Sequence, residues 1–378
     1  MIKTLLPTAT IGIIGAGQLG KMLAQSAQKM GYRVAMFDPN ATSCGFAVAD
    51  WHTVADFNDA DALLAFAKKV DVLTYEFENI NGEILQTLHS QTNLPQGTKL
   101  LLTSQDRIKE KTWLASLGVP VVNFAEVQAV QDIENFAKSH GYPVIIKTAR
   151  FGYDGKGQMK IDSQAELLAQ QAEVEKLLQQ PCIAEAFCPF EFEVSVMVAR
   201  DQHGSVDFFP VSQNEHCKGI LFTSSAPAQL SAEQVANVQE YARKIAENGE
   251  LVGVCGIEFF VKKDGGLVVN ELAPRPHNSG HYTMESCNVS QYDQHILAIT
   301  GRALQPIYQH RPALMVNLLG QHIADLPELF NRYPQAMFHL YNKGDAKPQR
   351  KMGHFTLLGS EQDKAEWLVS LADVKEKF

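Results

Sequence analysis

Two glutamates, Glu258 and Glu271, lie in the run GIEFFVKKDGGLVVNELAPRPHNSGH, where two apolar strands flank a Lys-Asp-Gly-Gly turn. A tight two-residue turn at Asp264-Gly265 sets the two carboxylates directly across from each other on a hairpin. Like charges that face at roughly 4.5–5.5 Å between Cβ atoms destabilise a sheet unless something positive lies between them. The cation suited to that place is Mg2+ (or Mn2+), which takes one or two carboxylates and fills the rest of its shell from substrate phosphates. The competing reading is a hairpin whose acidic ends splay into water.

A second group could hold those phosphates. The loop Phe151-Gly152-Tyr153-Asp154-Gly155-Lys156-Gly157-Gln158 puts three glycines and a lysine between two apolar runs. Such glycines let backbone N–H groups approach a polyphosphate, and Lys156 screens the repulsion between its oxygens. They fall between strands and not ahead of a helix, so this is no Walker A loop. It predicts a flap over ATP, backed by Lys147 on the preceding strand, with an ordinary glycine-rich hairpin as the alternative. Downstream, Pro274 and Pro276 hold extended a segment carrying Asn270, Arg275, His277, Asn278, Ser279 and His281. His277 and His281 have the spacing of a helical zinc pair, but Pro276 and Gly280 argue against a helix, which favours anion binding or proton handling. His216, in QNEHCKGIL, reads either as a phosphate contact or as an ordinary loop histidine.

The elements that must position these groups fall into three segments. Thr10–Ile14 reads as a strand, residues 21–30 as a helix and Arg33–Phe37 as a second strand, a βαβ opening. The loop between the first two, Gly15-Ala16-Gly17-Gln18-Leu19-Gly20, with Asp38 about twenty residues on, has the written form of a dinucleotide fingerprint. That would suit an NAD-linked oxidoreductase, although glycines at a helix N-terminus receive any phosphate. A further strand at 70–75 ends in Glu76-Phe77-Glu78-Asn79, and ligands gather at the carboxyl ends of parallel strands, which places Glu76 for substrate. A helix at 107–117, closed by Gly118, enters the second segment. There, strands at 143–147, 158–161, 182–187, 192–199 and 206–212 precede the hairpin, with only two helices, at 165–179 and 232–247, a pattern of α+β with antiparallel sheet. The expected division is 1–105, 106–300 with a flap subdomain at about 120–185, and 301–378. The last segment carries Tyr341-Asn342-Lys343 and Arg350-Lys351.

Composition narrows the class. At 378 residues with 45% hydrophobic content the chain has material for more than one core, and its formal charge of −9 disfavours nucleic acid or anionic lipid as a partner. Six cysteines without a C-x-x-C pair signal neither a zinc site nor a disulfide framework. Pro7 and the early glycines interrupt the N-terminal apolar run before a signal peptide or membrane span is complete. A cytoplasmic protein is expected.

Together GAGQLG, YEFEN, KTARFGYDGKGQ, EAFCPFEFEVSV, QNEHCKGIL and NELAPRPHNSGH, in this order, resemble the ATP-grasp superfamily and within it the N5-carboxyaminoimidazole ribonucleotide synthetase family of purine biosynthesis. The resemblance spans nearly the whole chain and implies a fold of α/β and α+β parts: an N-terminal Rossmann-like domain, ATP-grasp lobes with antiparallel sheet, and a small C-terminal domain. It implies an ATP- and Mg2+-dependent ligase joining bicarbonate to the amine of 5-aminoimidazole ribonucleotide through carboxyphosphate, acting as a cytoplasmic homodimer. Arg107, Lys147, the flap from Gly152 to Gln158, His216, Asn270 and Glu271 would hold the ATP phosphates and metal, with Glu258 the second metal ligand. Glu185, Ala186, Phe187 and Cys188 would meet adenine through their backbone, and Glu193 the ribose. Gly17, Gln18, Leu19, Glu76, Asn278, Ser279, Lys343, Arg350 and Lys351 would surround the ribonucleotide. Tyr153, Asp154, Arg275 and His277 would be catalytic, the last two facing bicarbonate or its phosphorylated form. Asn342 and Gln349 depart from the family pattern, which usually carries glycine at both. A formate-dependent glycinamide ribonucleotide formyltransferase of the same superfamily is the nearest alternative.

Overall fold

The computed structural model describes residues 2–150 and 157–378. Among these residues the chain builds three sheets. The first is parallel, in the order Trp51–Thr53, Arg33–Phe37, Thr10–Ile14, Val72–Tyr75. Its central runs are almost wholly apolar, as strands covered on both faces must be. Helix Gln18–Lys29 packs Leu19, Met22, Leu23 and Ala27 on one face, while Leu63 and Phe66 of helix Ala60–Ala67 and Leu85 and Leu88 of helix Gly82–Gln91 fill the other.

The second sheet is antiparallel and has nine strands, eight of them in the order Leu267–Ala273, Gly253–Lys262, Phe190–Arg200, Ser212–Cys217, Ile220–Ala226, Ala313–Leu319, Lys351–Leu358, Met337–Leu340. The ninth, Val206–Phe208, pairs with Phe190–Arg200. Helix Ala232–Asn248 covers the hairpin end of this sheet through Val238, Ala242, Ile245 and Ala246. Hydrogen bonding between Ile220–Ala226 and Ala313–Leu319 carries the sheet across residue 301, so the C-terminal strands share a sheet with the Glu258–Glu271 hairpin. A third, small sheet orders Phe124–Val127, Cys182–Ala186, Val144–Thr148 and Gln158–Ile161, all antiparallel.

Three expectations about elements need correction. Helix Val130–His140, which buries Ile133, Phe136 and Ala137 against the small sheet, makes the count of two helices in this region too low. The helix expected at 165–179 is two, Gln164–Ala169 and Gln171–Leu177, broken at Gln170. The strand expected at 206–212 is likewise split, since Pro210 has no N–H to donate to a ladder.

Candidate active site

The hairpin strands Gly253–Lys262 and Leu267–Ala273 pair Glu258 with Glu271, the facing expected from the sequence. The route to it differs. Lys263, Asp264 and Gly265 form a three-residue loop, closed by Gly265 N–H donating to Lys262 O at 2.8 Å and Lys262 N–H to Gly266 O at 2.9 Å. Gly265 takes the left-handed φ of 82° that such a loop requires. This moves the register by one residue, and a bulge beside Glu258, with Asn270 as the extra residue, moves it back. Burial, and then the charge of the facing Glu271, push the Glu258 carboxyl above the usual carboxylate range. Among the described residues no cluster of three or more His, Cys, Asp or Glu side chains is able to enclose a metal. Two opposed carboxylates with no third protein ligand fit Mg2+, whose remaining positions go to phosphate oxygens and water.

Lys111 links this hairpin to the small sheet, its Nζ 3.5 Å from Asn270 O and close to Glu185. Lys147 stands opposite Gln158 on the two strands that root the flap; Gly152, Tyr153, Asp154, Gly155 and Lys156 lie outside the described residues. Gly157 closes the root, its carbonyl accepting from Thr148 N–H at 2.9 Å. Lys147 Nζ is 2.7 Å from Glu185 Oε2, and Lys111 Nζ is 3.2 Å from Glu185 Oε1. Burial works to raise the Glu185 pKa, but the two ammonium groups outweigh it and hold the carboxyl below its ordinary value. Lys111 escaped the sequence reading. Its signal was its place in helix Arg107–Ser116, where Glu110, Lys111 and Leu114 form the buried face. Arg107 ties the same helix to the flap root, its Nη1 donating to Thr148 O at 3.1 Å.

Of the residues expected at adenine, Ala186 and Phe187 donate their N–H groups to the carbonyls of Asn123 and Pro143. Lys160 stands 5.3 Å over the half-exposed Phe187 ring, and Cys188 is half-buried. Glu193 and His216, expected at ribose and phosphate separately, are ion-paired to each other. Burial opposes protonation of His216, but its hydrogen bond to Glu193 and the carboxylate charge raise its pKa overall.

At the parallel sheet, the glycine loop receives a carboxylate of its own chain. Gly17 N–H donates to Glu76 Oε1 at 2.8 Å. A Cβ on Gly15 would lie 2.4 Å from Glu76 Cγ, and one on Gly17 would lie 2.8 Å from Glu76 Oε1. Asp38 is spent locally, accepting from Ala16 N–H at 2.9 Å and Ser43 Oγ at 2.8 Å. The glycine spacing thus seats Glu76, and the dinucleotide reading, which needs a free Asp38, fails. Burial raises Glu76 to about 7. Gln18 opens the helix, half-buried. Leu19, expected at substrate, instead sits in the core of this domain because it falls on the apolar face of the same helix.

The C-terminal segment leans on this domain: Lys21 Nζ donates to Tyr341 O at 3.1 Å, and the Tyr341 side chain joins the same core. Lys343 is brought down to about 8, chiefly by burial. Asn342 and Gln349 both adopt left-handed φ, 60° and 63°, so the backbone keeps the glycine conformation although the glycines are gone. Arg350 Nη1 donates to Asp345 O at 3.2 Å. The Lys351 charge bears on Glu78, His216, Glu258, His277, His281 and Lys343.

The proline-flanked segment joins these parts. Arg275 forms a two-point ion pair with Glu78, one contact being Nη2 to Oε1 at 2.9 Å. His277 Nε2 is 3.8 Å from Glu258 Oε1, and its Nδ1 meets Ser279 Oγ at 2.9 Å. Gly256 makes room for it, since a Cβ there would stand 2.7 Å from His277 Cβ. Burial, then the charges of Arg275 and Lys351, hold the His277 pKa well below its ordinary value. Ser279, expected at the ribonucleotide, is fully buried in a hydroxyl network with Ser195, and its hydroxyl also meets the His277 ring. Asn278 keeps both amide atoms without a hydrogen-bond partner among the described residues. His281 is fully buried, stacked on His354 at 4.4 Å and bonded through Nδ1 to Tyr292 Oη at 2.8 Å, so it forms no zinc pair with His277.

Residues 112–292 match the ATP-grasp domain, residues 8–105 the ribonucleotide synthetase preATP-grasp domain, and residues 313–367 the phosphoribosylaminoimidazole carboxylase C-terminal domain. The chain is 43% identical over 359 residues to the N5-carboxyaminoimidazole ribonucleotide synthase of Staphylococcus aureus (strain MRSA252), covering 95% of each. Among solved structures, the N5-carboxyaminoimidazole synthetase of Staphylococcus aureus complexed with ADP superposes with a TM-score of 0.92 at 42% identity, over 99% of this chain and 98% of that one. The Aspergillus clavatus N5-carboxyaminoimidazole synthase in complex with ADP and 5-aminoimidazole ribonucleotide superposes with a TM-score of 0.89 at 29% identity, over 99% and 100%.

Proposed function

The chain belongs to the N5-carboxyaminoimidazole ribonucleotide synthase family of ATP-grasp ligases, and from that premise we propose how its residues carry out the family's reaction. The reaction is the ATP-dependent carboxylation of 5-aminoimidazole ribonucleotide by bicarbonate, releasing ADP and phosphate, in purine biosynthesis. A bicarbonate oxygen attacks the γ-phosphorus of ATP and ADP leaves, giving carboxyphosphate. The exocyclic amine of the ribonucleotide then takes the carboxyl carbon, phosphate departs, and the amine loses a proton.

The observation that carries this assignment of residues is the facing of Glu258 and Glu271 across one hairpin, with Arg275, just beyond it, ion-paired to Glu78 of the N-terminal domain. Phosphoryl transfer needs positioning and charge compensation more than covalent help from the protein. Lys147, placed by Glu185, and Arg107 at the flap root supply cations on the nucleotide side. Glu258 and Glu271 would hold Mg2+, which would offset charge on the phosphates. Glu76, with Gln18, Asn278 and Lys343, faces the ribonucleotide, and Arg275 faces bicarbonate. His277, its ring held at Nδ1 by Ser279, would relay the amine proton.

The same reading places the enzyme in the cytoplasm as a homodimer. Its six free thiols, and the lack among the described residues of any helix long and apolar enough to cross a membrane, agree with that compartment.

The test is ADP formation with ATP and Mg2+ alone, with bicarbonate added, and with bicarbonate and aminoimidazole ribonucleotide. Sustained release in the complete mixture supports the assignment. Turnover with formate and glycinamide ribonucleotide in its place would defeat it.

A further inference from the structure

The YEFEN run supplies two glutamates, and the reaction as read above uses only Glu76. Glu78, two residues on, reaches across the cleft to Arg275. A guanidinium has five N–H bonds in a fixed plane. Nε and Nη2 donate to the two carboxylate oxygens of Glu78, and Nη1 donates to Pro276 O at 3.0 Å. These contacts leave two N–H bonds, one on each terminal nitrogen. A planar oxyanion with two coplanar oxygens fits such a fork.

We infer that Glu78 is a positioning residue for bicarbonate: its side-on pair with Arg275 fixes the guanidinium plane and turns the two remaining N–H bonds toward the carbon to be transferred. The inference rests on Arg275 facing bicarbonate. Arg275 is well covered by protein, with a side-chain exposure of 14%, so a mispointed guanidinium would find little water to replace its partner. Lysine, a point charge without a plane, would lose this arrangement. Because Glu78 and Glu76 share one loop, the seat of the ribonucleotide and the seat of bicarbonate are set by the same short stretch of chain.

The experiment measures KM for bicarbonate and for ATP by ADP release in bicarbonate-depleted buffer, at saturating ribonucleotide, in the wild type and in Glu78→Ala, Glu78→Gln and Arg275→Ala. Glu78→Ala should raise the bicarbonate KM about tenfold or more with the ATP KM within about twofold, and Glu78→Gln, which keeps one acceptor, should fall between. A bicarbonate KM within about twofold of wild type in Glu78→Ala, or an equal rise in both constants, overturns the positioning role. Should Glu78→Ala fail to fold, the isosteric Glu78→Gln decides, with a rise of about threefold or more required. An unchanged bicarbonate KM in Arg275→Ala would instead defeat the placement of bicarbonate itself.

Discussion

Single side chains in this protein carry charge that the fold has already partly neutralised, and their removal should be read in that light. Glu271 is exposed and faces Glu258, so Glu271→Ala relieves repulsion in the free protein and should leave the fold intact. ATP turnover should nonetheless fall by about a hundredfold or more, because an oxygen ligand for the metal is gone. Near-normal ADP release by a folded Glu271→Ala protein would remove the hairpin from the metal site. For Lys351→Ala, KM for the ribonucleotide should rise about tenfold, roughly 1.4 kcal/mol, with a smaller effect on ATP. An unchanged ribonucleotide KM would place Lys351 elsewhere. The charges of these residues were legible from type and spacing alone. Their partners were not: Lys111 with Glu185, Glu193 with His216 and Glu78 with Arg275 each join different elements.

At the level of the element, two residues of the single loop between strands Met337–Leu340 and Lys351–Leu358 hold a left-handed backbone conformation. Gln349 is exposed at a φ of 63°, a conformation that costs a side-chain-bearing residue roughly 1–2 kcal/mol. Replacing it by glycine recovers that strain and gives back about 0.5–1 kcal/mol through the more flexible unfolded chain. Gln349→Gly should therefore stabilise by about 0.5 kcal/mol in urea unfolding, whereas Asn342→Gly should be close to neutral because asparagine tolerates this region. Destabilisation by Gln349→Gly would show that the side chain makes a contact worth more than the strain. The hairpin teaches a related lesson. A two-residue turn and a three-residue turn with a bulge both place Glu258 opposite Glu271, and sequence reasoning arrived at the right facing through the wrong turn. Alternation of apolar residues demanded that the carboxylates share a face; the local hydrogen bonds of the turn were free to differ.

Over the whole molecule, burial of carboxyl groups couples stability to pH. Burial holds Glu76 at about 7, and burial followed by the nearby Glu271 charge holds Glu110 at about 8. Both stand above the value of about 4.3 in an unfolded chain, so the native state keeps protons that the unfolded state has released. The stability they contribute is complete below about pH 4.3 and is lost as pH rises through 7 and then 8. Without nucleotide or metal, Tm should fall between about pH 5 and pH 8. Glu110→Gln, which keeps an acceptor for Leu272 N–H but never ionises, should raise Tm at pH 8 and change it little at pH 5. An equal shift at both pH values would mean that Glu110 is ionised throughout.

What the sequence determined by itself was the set of chemical groups and the classes of element that carry them: the parallel opening, the antiparallel middle, the facing glutamates. Periodicity and turn chemistry act over a few residues, and a short window holds all the information they need. What only the tertiary structure decided was which groups meet. The glycine loop receives Glu76, Ser279 and Leu19 are buried within the protein, and Glu78 spans two domains to hold Arg275. Such pairings depend on the path of the backbone over hundreds of residues, and burial then fixes which of the available partners each charge must take.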